Sequence, residues 1–286
     1  MDDALREAIE AALSARVVRD ARVHGGDVAV AFAVDLDDGR RVFAKTHPKS
    51  PPNFFTTEAA GLEWLRAAGV VAVPEVLAAS DEPPNHLVLE WIDEGPGRPA
   101  TERDLGLALA RLHVAGAPCF GREDRRSTGS RGLPNEPCAT WAEFYAQNRL
   151  LPLARMARDD EVLPDATIDD LVDLAGRLEE FGAADEPPAR LHGDLWAGNR
   201  LIDVDGRSWL IDPAAHGGHR EFDLAMMRLF GGFGRECFAA YEAEHPLAPD
   251  AESRVALHQI APLVVHAIKF GGGYVSAAIG AISRYR

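Results

Sequence analysis

RLHGDLWAGNRLIDVDGRSWLID, running from Arg190 to Asp212, is the stretch on which the reading of this chain turns. Its skeleton is His-Gly-Asp, four residues, Asn, then twelve residues and Asp. The apolar alternation reads as a short strand, a loop and a hairpin turning at Asp205-Gly206. Such a hairpin folds the chain back, so that Asp212 returns beside the loop bearing Asn199. In phosphoryl transfer one aspartate orients the acceptor hydroxyl and takes its proton, while an amide oxygen and a second carboxylate hold magnesium on the phosphates. Asp194 fits the first role; Asn199 and Asp212 fit the second. Taken singly, each residue has a plainer reading: a cap or turn for Asp194, a left-handed turn for Asn199, a turn start for Asp212-Pro213. Their order, bracketed by apolar strands, favours the joint reading.

Upstream, VAVAFAVDLDDGRRVFAK reads as two strands joined by a turn at Asp37-Asp38-Gly39, with Lys45 at the end of the second. FFTTEAAGLEWLRAAG follows as a helix, with Phe55, Ala59, Leu62 and Leu65 at helical spacing and Gly69 as its stop. Glu58 lies inside that helix. A strand lysine held by a helix glutamate presents an ammonium to the ATP phosphates; the alternative is two unrelated surface charges. Gly25-Gly26-Asp27 offers backbone amides for phosphate oxygens, with a plain turn as its rival, because no G-x-G-x-x-G is present. HLVLEWI reads as a strand ending at Glu90, Trp91 and Ile92, where a two-lobed kinase places its adenine-binding hinge. GPGRP at Gly95 to Pro99 breaks the pattern, and the remainder is mostly helical. The expected architecture is α+β: a bilobal protein-kinase-like fold with a small β-rich N-lobe over residues 1–92 and a larger, mainly helical C-lobe over 93–286. The Gly-, Pro- and Ser-rich stretch from Ala117 to Pro137 reads as a loop.

The chain has 286 residues, 47% of them apolar, enough for a substantial core. Its formal net charge of −15 repels polyanions and argues against nucleic-acid binding. Cys119, Cys138 and Cys237 form no C-x-x-C pair, which suits a reducing compartment. The first residues read as an amphipathic helix and not as a signal peptide, and IAPLVVHAI is too short to span a bilayer. A cytoplasmic protein, away from membranes and with a monomer favoured, is expected. His216 and His219, three apart, have no further paired ligands in the sequence, which disfavours zinc.

HGDLWAGN, IDPAAHGGHREFDLAM, LFGGF and the late FGGGY resemble the fructosamine kinase (ketosamine-3-kinase) family, a branch of the aminoglycoside phosphotransferase and choline kinase superfamily. VFAK, VPEVL, LVLEWI and DLGLALARLH extend the likeness through the amino-terminal half. The resemblance implies ATP and Mg2+ as cofactors. It further implies phosphorylation of the third-carbon hydroxyl of a sugar on an amine, small or protein-bound, giving a product that sheds the sugar. By position it makes Asp194 the base and Asn199 and Asp212 the magnesium ligands. It sets Lys45 on phosphate, Glu58 on Lys45, and Glu90, Trp91 and Ile92 on adenine. His192 and Asp223 would support the catalytic loop, His216 would lie near the substrate mouth, and Trp196 would either stack on the sugar or pack beneath the loop. Ala197 stands where members often carry Ser. The rivals are an aminoglycoside- or choline-type phosphotransferase and, from a different class, a nucleotide-binding pseudokinase.

Overall fold

The structure, a computed structural model, describes residues 1–23, 29–125, 127–128, 132–181 and 186–286. Helix α1 (Asp3–Leu13) begins where the Asp2 carboxylate accepts the Leu5 amide at 2.9 Å, a side-chain N-cap. Leu5, Ile9 and Leu13 recur every four residues and share one helix face. That face is buried on an antiparallel sheet in the order β1-β2-β3-β5-β4, formed by Val17–Val23, Val30–Leu36, Arg41–Thr46, Val76–Ser80 (β4) and His86–Glu90 (β5).

Alternation along β3 distributes the work between the two sheet faces. Val42 and Ala44 join the α1 core, whereas Phe43 packs on the opposite side, the side of helix α2 (Phe54–Arg66). Lys45, two residues on from Phe43, therefore also points toward α2. On that helix Glu58 lies three residues after buried Phe55 and four before buried Leu62, and so faces the sheet.

Strand β1 was not expected as a strand, since VVRDARV carries three charges and buries only Val17. It is an edge strand, where exposed charged side chains discourage pairing with other chains, and its ladder with β2 supplies what its own hydrophobicity does not. The described residues of the 117–137 stretch carry several pairings, in keeping with the reading of an ordered or semi-ordered loop. Gly121 bridges Gly217, Phe120 bridges Cys138, and Ser127–Thr128 pairs with Leu133–Pro134.

Beyond the sheet, helix α3 (Thr101–Ala115) opens a mainly helical C-lobe. A core of Phe144, Tyr145, Leu153, Ile168, Leu171, Leu257 and Val264 ties the helices of 141–159, 165–175 and 251–270 together. A second core is continuous across the two lobes, running from Phe55, Leu62 and Leu89 to Leu109, Leu195, Leu210 and Met227. Among the described residues no helix is long and apolar enough to cross a membrane, and no disulfide is formed.

The Arg200–Ile202/Ser208–Leu210 hairpin is docked by main-chain bonds onto the N-lobe and the segment that follows it. Gly95 N–H donates to the Ile202 carbonyl at 2.9 Å, Val204 N–H to Asp93 at 3.1 Å, and Leu210 N–H to Ala72 at 2.9 Å. Gly95 is required by this approach, because a Cβ there would lie 2.6 Å from the Val204 Cα. Gly95→Ala is expected to destabilise the protein by about 1–3 kcal/mol through overpacking against backbone. Urea denaturation reads this as a lowered midpoint; an unchanged midpoint contradicts the docking.

Candidate active site

The hairpin delivers Asp212 to the neighbourhood expected from the sequence. Ile211 N–H donates to the Asn199 carbonyl at 3.0 Å, and the Asn199 amide nitrogen lies 3.4 Å from the Asp212 carbonyl. The same nitrogen donates to the main-chain carbonyl of Asp194 at 2.8 Å and to its Oδ2 at 3.1 Å. Across the lobes, Lys45 Nζ lies 2.6 Å from Asp212 Oδ1 and 2.7 Å from Glu58 Oε1. Asp194, Asn199, Asp212, Lys45 and Glu58 thus form one connected set. Asp212 has φ of 51°, a left-handed conformation that costs energy for a residue with a Cβ and clusters at functional sites.

The loop that carries Asp194 is braced from beneath. The buried Asp223 carboxylate accepts the His192 and Gly193 amides at 2.8 and 2.9 Å. It also meets His113 Nε2 at 3.3 Å, and His113 Nδ1 in turn pairs with the Tyr241 hydroxyl at 2.8 Å. Burial opposes the charge on Asp223, but these hydrogen bonds outweigh it and hold its pKa below the ordinary carboxylate value. His192 Nε2–H donates to the Ile211 carbonyl at 2.9 Å, while its Nδ1 accepts the Asp194 amide at 3.3 Å. Both bonds call for the neutral tautomer, and burial lowers the His192 pKa in the same direction. His192 and Asp223 are thus both hydrogen-bonded to the loop backbone or its flank. His113 and Tyr241 were missed; a lone histidine inside an amphipathic helix carries no pattern that marks it.

Asp194 opens into a pocket of about 710 Å³ between the lobes, lined also by Gly193, Trp196, Asn199 and Asp212. Burial is the main influence on Asp194 and pushes its pKa up to about 6. Glu90, Trp91 and Ile92 line the same pocket at the end of β5. The Glu90 carboxylate accepts the Glu75 amide at 3.0 Å, and the Arg41 guanidinium lies 4.4 Å over the Trp91 ring. Gly25 and Gly26 lie outside the described residues.

Trp196 is 39% exposed, with its edge toward Phe230. Its indole lies across Gly198, where a Cβ would come within 2.2 Å of the ring, so the W-x-G spacing of the motif is a packing requirement. His216 lines the pocket but is wedged between Phe144 and Phe222, with Nδ1–H bonded to the Ala214 carbonyl at 2.8 Å. Burial lowers its pKa to about 3, so it is neutral. His219 groups with Glu221 and His258 and not with His216, and Arg254 grips both oxygens of Glu221 at 2.7 and 2.9 Å. The far wall of the pocket comes from Pro262, Val265, His266, Lys269 and Phe270 of the 251–270 helix, and Arg149 also lines it. None of these was singled out in the sequence.

A β3 lysine paired with an α2 glutamate and bonded to the last member of an Asp–Asn–Asp set that lines an interlobe pocket defines an ATP-dependent phosphotransferase of the protein-kinase-like fold. The family model described as fructosamine kinase matches residues 1–286, and the chain belongs to that family. It is 33% identical over 265 residues to a Lactiplantibacillus plantarum protein assigned as a ketoamine kinase, covering 92% of each chain. It is 31% identical over 277 residues to the chloroplastic protein-ribulosamine 3-kinase of Arabidopsis thaliana, covering 94% of this chain and 83% of that one. A crystal structure of a Thermobifida fusca protein assigned as a fructosamine-3-kinase superposes with a TM-score of 0.90 at 35% identity, covering 100% of this chain and 99% of that one.

The brace under the loop gives a direct test. Asp223→Asn replaces an oxygen that accepts a main-chain amide by an NH2 group that cannot. Loss of a charged hydrogen-bond partner costs about 1.5–3 kcal/mol. Phosphotransfer is expected to collapse while thermal unfolding remains cooperative with a lowered Tm. Wild-type activity in this variant contradicts the role of the brace.

Proposed function

We propose that this kinase phosphorylates the third-carbon hydroxyl of ketosamines, sugars joined through carbon 1 to an amine on a small molecule or a protein. Family membership supports the acceptor class, and so does the likeness to the Arabidopsis protein-ribulosamine 3-kinase. The observation that carries the chemistry is the convergence of Asp194, Asn199 and Asp212 at one pocket, with the Lys45 ammonium bonded to Asp212. In this reading residues 1–92 form the nucleotide lobe and 93–286 carry the acceptor. The main chain of Glu90 to Ile92 pairs with the adenine edge.

Asp194 accepts the proton of the acceptor hydroxyl as its oxygen bonds to the γ-phosphorus, and the bond to the β–γ bridging oxygen breaks to release ADP. Lys45, fixed by Glu58, offsets phosphate charge. Trp196 presents its exposed indole to the sugar ring, and His216 shapes the pocket as a neutral imidazole. Asn199 and Asp212 would hold a magnesium ion, which when bound would offset the charge of the phosphates. The donor chemistry fits a hard cation that prefers oxygen ligands. The Asn199 nitrogen is committed to Asp194, leaving its oxygen as the ligand atom, and Asp212 engages Lys45 through Oδ1, leaving Oδ2. A ketosamine phosphorylated at carbon 3 sheds its sugar, so the activity would serve the repair of glycated amines, in the cytoplasm.

Asp194→Asn is expected to retain Mg-ATP binding and lower kcat by about 10²–10⁴. If the variant turns over at the wild-type rate, Asp194 is not the base. Because the base must be ionised, the wild-type rate at limiting acceptor falls as pH drops through about 6, toward tenfold per pH unit. Bound cations draw that inflection lower. A rate still climbing between pH 8 and 9 contradicts the assignment. A panel of ribulosamine, fructosamine and aminoglycoside acceptors tests the substrate class: turnover is expected on the first two, and the reverse ranking overturns it.

A further inference from the structure

Four arginines are buried among the described residues, and three have a carboxylate partner. Arg122 pairs with Asp124, Arg220 with Glu186, and Arg254 with Glu221 and Asp250. Arg149 does not. Its Nη1 donates to the main-chain carbonyls of Pro134 at 2.6 Å and Asn148 at 2.8 Å, and its Nη2 to Asn135 Oδ1 at 2.8 Å. Its guanidinium lies 4.6 Å over the Phe144 ring. Neutral dipoles satisfy these hydrogens but leave the positive charge uncompensated, and an unpaired buried charge is costly. Arg149 is only 3% exposed, and it lines the same pocket as Asp194. Burial, with no acid to offset it, brings its pKa down to about 9, which still leaves it charged at neutral pH.

The local backbone is unusual at this point. The helical run from Trp141 to Asp159 widens into a π-turn over Ala146–Leu150, the segment that bears Arg149. Single π-turns inside α-helices recur at functional sites. Around Arg149 the pocket wall is formed by Thr128, Leu133, His216 and Phe222. His216 is neutral, so among the described residues of this group Arg149 is the only cation and there is no carboxylate.

We propose that Arg149 forms a subsite for an anionic oxygen group carried by the acceptor, a carboxylate on its amine side or a phosphate ester on its sugar side. The inference rests on the ketosamine reading and narrows it: the preferred acceptors are ketosamines of amino acids or of sugar phosphates. With Nη1 fully engaged and one Nη2 hydrogen on Asn135, Nε–H and the second Nη2–H are the donors left for the anion, and charge-assisted contacts are strongest out of water.

The test uses matched acceptors with the wild-type protein: fructosyl-glycine against fructosyl-glycinamide, and ribulosyl-ethylamine with and without a 5-phosphate. In at least one pair the anionic member is expected to have a kcat/KM about 10- to 100-fold higher, the range of one charge-assisted hydrogen bond, with the difference in KM. The carboxylate arm and the phosphate arm identify the source. Arg149→Gln should abolish that preference while the neutral acceptor changes little, and Arg149→Lys should restore part of it. Equal use of both members of both pairs by the wild type overturns the inference even if the variants fail to fold, while leaving the ketosamine reading standing. An equal loss on all acceptors in Arg149→Gln also overturns it, because that is what a purely structural arginine would give. Absence of turnover on every ketosamine would overturn the function reading and this inference with it.

Discussion

The Lys45 ammonium, 6% exposed, is held 2.7 Å from Glu58 and 2.6 Å from Asp212, and most of the site hangs on that contact. Burial works against its charge, yet the two carboxylates outweigh the penalty and raise its pKa above the ordinary lysine value. Asp212 is shifted the other way, below the ordinary carboxylate value, because the lysine charge overcomes its own burial. Removing one member of such a cluster leaves a buried charge without compensation, at a cost of about 3–5 kcal/mol. The contact is also long-range. It joins a strand and a helix of the N-lobe to a residue 167 positions away at the end of the catalytic hairpin. Electrostatics and lobe placement are therefore one problem, which the chain solves with three side chains.

The second constraint is that the loop before the hairpin cannot sag. Its amides at His192 and Gly193 point down into Asp223, and its histidine is tied to Ile211 at the hairpin's far end. Asp194 is left as the group that turns toward the pocket, where burial raises its proton affinity, as the base proposed above requires. Stiffness beneath the loop and moderate basicity on top of it have a common origin: a water-poor floor in which every polar group has an assigned partner.

Much of this was legible in the chain because it rests on short-range rules. Strand alternation puts Lys45 and Phe43 on the same face, helical spacing puts Glu58 with Phe55 and Leu62, and a two-strand return brings Asp212 to Asn199. Strand β1 escaped notice because an edge strand draws its stability from its neighbour and keeps its charges in water. Arg149, His113 and the 251–270 wall escaped for a different reason. Each reaches the site through the packing of helices distant in sequence, and neither residue type nor spacing records which helix faces will meet. The W-x-G spacing was read as a motif, and only the indole lying across Gly198 gives it a cause.

The central claim is that Asp212, while tied to Lys45, shares a divalent cation with Asn199 beside the acceptor pocket. A crystal of the protein grown with Mn2+ and a non-hydrolysable ATP analogue tests it through the anomalous signal of the metal. The account predicts a peak bounded by an Asp212 carboxylate oxygen and the Asn199 side-chain oxygen, within about 2.0–2.3 Å of each, with Lys45 still in contact with Glu58. A metal bound to neither residue, or a nucleotide seated outside the interlobe pocket, would contradict it.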